Sequence, residues 1–125
     1  MIWTLSQVAI GGAIGSMLRY LTNVGVMHFI GPGFPWGTVI VNILGSFVMG
    51  VLVVVLAHRG GMRLAPLLMT GVLGGFTTFS AFSLDALTIY ERGQIGVALA
   101  YVAGSVGLSL AAILAGVLLT RGAFA

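Results

Sequence analysis

Cysteine is absent from the 125 residues, and so is lysine. Without cysteine there is no disulfide framework and no thiolate metal site. Charge of either sign is scarce: five arginines, one aspartate and one glutamate make up 6% of the chain, where a soluble domain carries roughly a quarter. Hydrophobic residues supply 59%. A soluble fold this apolar would lack the polar surface to cover itself, so the chain reads as an integral membrane protein. The net charge of +3 comes from arginines scattered from Arg19 to Arg121. They form no basic patch, and nucleic acid is not an expected partner. The two histidines, His28 and His58, fall at segment ends without a nearby acid. With no cysteine either, enzyme chemistry is not expected.

What the chain does have is long uncharged runs. Ile2 to Leu18 is uncharged and ends at Arg19; the breaker GPGFP fills 31–35. Trp36 to Ala57 follows, then a polar turn with His58, Arg59, Gly60, Gly61 and Arg63. Leu64 to Leu84 runs to Asp85, Tyr90 to Gly93 forms the last turn, and Gln94 to Thr120 completes the set. A membrane helix needs about 20 apolar residues. The expected architecture is therefore all-α: one domain, 1–125, of four transmembrane helices with tight loops. The first run lacks a basic leader and is not expected to be a cleaved signal peptide.

Orientation is weakly encoded. Four spans would put both termini and the 58–63 loop on one side, with Arg59, Arg63 and Arg121; the other side holds Arg92 and Arg19. Orientation follows Lys/Arg asymmetry in short loops, and three against two is almost none. Either a few residues fix one orientation, or the chain inserts both ways and pairs antiparallel with itself.

Glycine is abundant, with 20 residues. Gly11 with Gly15, Ala100 with Gly104, and Ala112 with Gly116 have the small-xxx-small spacing that lets membrane helices approach closely. Polar residues form two stripes at four-residue spacing: Thr38, Asn42 and Ser46 on the second helix, Tyr101, Ser105 and Ser109 on the fourth. A lone hydroxyl in a membrane helix is usually satisfied by its own backbone. Two three-member stripes ask for more. Asn42 stands out, because an amide at mid-membrane must find partners, glue helices together or line a wet cavity.

The third run contains GGFTTFSAFS, residues 74–83. Two glycines followed by Thr77 and Thr78 predict a break near the middle of the helix. Unpaired backbone is costly in lipid, so such a break must face protein or water, and freed carbonyls can coordinate a cation. Phe79 and Phe82 share a face of the resumed helix and interleave with Ser80 and Ser83. Aromatic residues at this spacing usually just pack. Ring edges, however, carry the positive part of the quadrupole. With an amide and hydroxyls, they would suit a small anion without any formal charge.

These residues resemble the Fluc (CrcB-type) fluoride channels. GGAIGSMLRY (11–20), GTVIVNILG (37–45) and GVLGGFTTFSAFS (71–83) look like that family's three signature blocks, in order. The resemblance implies an antiparallel, dual-topology homodimer in a bacterial cytoplasmic membrane. It implies two fluoride pathways along the subunit interface and a central structural Na+ on the carbonyls of Gly74 and Thr77. It puts fluoride-contacting rings at Phe79 and Phe82 and the amide donor at Asn42. Tyr101, Ser105 and Ser109 match the polar positions of the fourth helix, Ser80 lies beside the rings, and Arg19 matches a vestibule arginine with Thr38 nearby. One departure is Asp85, where the family more often has glutamate.

Two other classes compete. A small dual-topology multidrug or cation exporter also has four short helices, but it needs a membrane-embedded carboxylate. The first run here has no acid, and Asp85 ends the third. A purely structural assembly subunit would explain the glycines but not the Asn, Phe and hydroxyl constellation.

Overall fold

The computed structural model describes residues 1–125 and is helical almost throughout. Four arms follow one another. Helix α1 spans Ile2–Phe29 and α2 spans Trp36–Arg59. The third arm is composite: a 3-10 turn Met62–Leu64, a π-helical stretch Pro66–Leu73, one α-helical turn α3 (Gly74–Phe76), and α4 (Phe79–Glu91). Helix α5 spans Ile95–Ala123. The turns use glycine where the backbone enters left-handed space, at Gly60 (φ 68°) and Gly93 (φ 84°).

Three segments are long and apolar enough to cross a membrane: Trp36–Arg59, Met62–Glu91 and Ile95–Ala123. Helix α1 is as long but less apolar, with Gln7, Arg19 and Asn23 along its length. It does not stop at Arg19, where the uncharged run ends. It continues to Phe29, because the Arg19 side chain finds a backbone carbonyl on the third arm.

Glycine sets the packing. A Cβ on Gly11 would strike the Leu67 carbonyl and the Gly71 Cα; on Gly15, the Val72 carbonyl; on Gly75, the Gly12 carbonyl. Helix α1 and the first half of the third arm therefore touch backbone to backbone. A second such crossing joins α2 and α5, where Gly50 faces the Ile113 carbonyl and Gly116 the Phe47 carbonyl. Gly104 meets nothing within the chain, so the expected Ala100/Gly104 contact is not made here. The C-terminal end is fastened by Phe124, whose ring stacks on His58 at 4.7 Å.

The break falls on Thr77 and Thr78, both extended (ψ 159° and 121°), while Gly74 and Gly75 remain helical. Gly75 is small because α1 lies against it, and the threonines make the interruption. Beyond it, Phe82 and Ile89 of α4 pack with Ala98 and Tyr101 of α5 in a small core.

Candidate functional site

Five helix-type bonds would bridge residues 74–82 in a continuous helix. Side chains take over part of them. The Thr78 N–H, due to reach Gly74, donates to Asn42 Oδ1 at 2.8 Å, and Asn42 Nδ2 donates to the Thr78 carbonyl at 3.0 Å. The Ala81 N–H, due to reach Thr77, donates to Thr78 Oγ1 at 3.1 Å, a helix N-cap. The Gly75 carbonyl accepts from Arg19 Nε at 3.0 Å. So Thr78 and Gly75 have substitute donors for their carbonyls, whereas the helical donors of the Gly74 and Thr77 carbonyls have been diverted. The negative end of one helix and the positive end of the next meet at this point.

A groove of about 330 Å³ opens beside the break. Asn42 and Ser46 from α2, Thr77, Thr78, Phe79 and Phe82 from the third arm, and Ser105 and Ser109 from α5 line it, with no charged residue. Two of the three members of each stripe, Asn42 with Ser46 and Ser105 with Ser109, thus converge with the phenylalanine pair on one surface. The pair is asymmetric. Phe79 is 77% exposed and Phe82 8%, with ring centroids 5.5 Å apart. Phe82 in turn lies 5.2 Å from the Tyr101 ring. Ser105 Oγ is buried and has no hydrogen-bond partner, which leaves a proton free at the groove wall.

The remaining predicted residues lie elsewhere. Thr38 and Tyr101 both donate to Asp85 Oδ2, at 2.9 and 3.1 Å. Each hydroxyl has one proton, so both are committed to the carboxylate. Thr38 and Asp85 line a neighbouring cavity with Phe34 and Asn23. Ser80 is exposed and shares a 3.3 Å contact with Thr78 Oγ1, outside the groove lining. Arg19 lies on the α1 side of the third arm and likewise outside that lining. Sequence reasoning did not find the Asp85 cluster, whose members are 47 and 16 residues apart. It also passed over Gln7, a buried amide whose Nε2 reaches the Arg63 carbonyl at 3.4 Å. An amide inside an otherwise apolar run was the available signal.

Apolar crossing helices, an interrupted arm and an uncharged polar groove define a multi-pass membrane protein. The family model described as "CrcB-like protein, Camphor Resistance (CrcB)" matches residues 6–117, and the chain belongs to this CrcB family. It is 68% identical over 125 residues, the full length of both chains, to the fluoride-specific ion channel FluC of Cereibacter sphaeroides. It is 59% identical over 122 residues to the channel of the same name from Paracoccus denitrificans, covering 98% of each. To that of Agrobacterium fabrum it is 51% identical over 122 residues, covering 96% of this chain and 98% of the other.

Proposed function

We propose that this chain is a fluoride-selective channel that lets fluoride leave the cell passively across the bacterial cytoplasmic membrane and so relieves its toxicity. The uncharged groove carries the reading. Fluoride holds its water tightly, and a pathway must replace that water without trapping the ion. Ring edges at Phe79 and Phe82, the free proton of Ser105, and the hydroxyls of Ser46 and Ser109 are neutral donors of moderate strength. Asn42 retains its second amide proton after serving Thr78.

In this reading α1 is a fourth crossing helix, and the chain inserts in both orientations and pairs antiparallel with itself, giving two pathways per homodimer. Three features support it. The arginine count is three against two, the Ala100/Gly104 motif is unused within the chain, and Phe79 projects from an open groove that a second copy would close. The carbonyls of Gly74 and Thr77 would hold a structural Na+. Both have lost their helical donors, and carbonyl oxygens suit a hard monovalent cation. When bound, the cation supplies a fixed positive field off the anion path.

The test is fluoride efflux from liposomes holding the purified chain. Phe79→Leu keeps an apolar side chain but not the positive ring edge. Flux is expected to fall about tenfold or more, the equivalent of ~1.4 kcal/mol. The dimer, followed by size-exclusion chromatography, is expected to persist. Full flux through both Phe79→Leu and Phe82→Leu would return the rings to packing.

A further inference from the structure

We infer that Arg19 is a positioning residue that holds the third arm broken. Its Nε donates to the Gly75 carbonyl at 3.0 Å, the acceptor that the Phe79 N–H would take in a continuous helix. While Arg19 occupies that oxygen, the path to an unbroken arm faces a competing charge-assisted hydrogen bond. Asn42 performs the same service one turn on, at both backbone groups of Thr78. The break is thus stitched from two sides, by α1 and by α2.

The placement of Arg19 is fixed. Gly11 and Gly15 bring α1 into backbone contact with the arm, and Gly75 itself lies against Gly12 and Ser16. At the far end of the same contact Gln7 donates to the Arg63 carbonyl. Both clamps join residues 56 apart in sequence, so the two segments run in the same direction and are pinned at both ends of the glycine contact. Arg19 lines no part of the groove beside Phe79. Its influence on an ion there passes through the backbone it holds. Lysine would keep the charge but replace the planar guanidinium with a single flexible ammonium.

The experiment weakens the Gly75 carbonyl directly. Replacing Phe76 with the matching α-hydroxy acid turns the Gly75–Phe76 amide into an ester, whose carbonyl is a poorer acceptor. The full chain is prepared with Arg19 or Arg19→Lys, each with the amide or the ester. Thermal unfolding in detergent and fluoride efflux from liposomes are measured for all four. Each single change is expected to lower the unfolding temperature by roughly 5 °C and the flux about tenfold. The double change is expected to be little worse than either alone, because both remove one interaction. The N–H lost with the ester is common to both arms of the cycle and cancels. Full additivity, or wild-type behaviour of Arg19→Lys with the amide, would overturn the inference. The flux arm rests on the fluoride reading, and the unfolding arm does not. A wild-type chain without flux would fail that reading, while the unfolding cycle still decides the role of Arg19.

Discussion

The two halves of the third arm solve different problems. The first half, Pro66–Leu73 and α3, leans on α1 through glycine, with no room for side chains between the backbones. The second half, α4, leaves α1 and packs on α5 through Phe82, Ile89 and Tyr101. One half is held by the absence of side chains, the other by large ones. The arm therefore changes partners at Thr77 and Thr78, and the break is a hand-off between two packing modes. A hand-off exposes backbone, and polar side chains from both neighbours cover it. The groove lies on the second side, where bulky residues leave a gap that glycine contacts would have closed.

The contrast can be broken most severely at the joint. Asn42→Ala strands both the N–H and the carbonyl of Thr78. At roughly 1–3 kcal/mol for each buried group left unpaired, a loss of about 2–6 kcal/mol is expected in chemical unfolding in detergent, together with loss of flux. A loss near zero would mean that the joint does not depend on α2. The glycine side comes next. Gly15→Val drives a side chain into the Val72 carbonyl and is expected to cost about 1–3 kcal/mol through overpacking. Gly25→Val, on the same helix but facing open space, is expected to stay within ~0.5 kcal/mol. Equal costs would show that glycine is not there for contact. The smallest effect is expected at the start of α4. Thr78→Ala removes the hydroxyl that caps Ala81 and is expected to cost about 1 kcal/mol. Thr78→Ser is expected to recover most of it, whereas equal loss from both variants would separate stability from the cap.

Much of this was legible in the sequence, for a physical reason. Apolar runs and breakers are local, so the arms and their turns could be read directly. The break was readable from GGFTT, but its cause was divided wrongly among those letters. Glycine both weakens a helix and admits a neighbour, and only the position of α1 distinguishes the two. The end of α1 was misplaced because a charge in an apolar run looks like a boundary. Arg19 is compatible with the helix interior once the Gly75 carbonyl is beside it, and a pairing across 56 residues leaves no local mark. The Asp85 cluster was hidden for the same reason. The π-helical stretch has no signature beyond the proline at its start.

That cluster also gives the wall of the molecule a direction. Thr38 and Tyr101 turn their hydrogens toward Asp85, so only lone pairs remain on their oxygens. Four residues further along each helix, Asn42 and Ser105 still have hydrogens to offer. In the proposed fluoride reading, an anion moving along these helices would pass from a stretch that offers it protons to one that withholds them. Rotating a single hydroxyl away from the carboxylate would move that frontier by one helical turn, with no helix displaced.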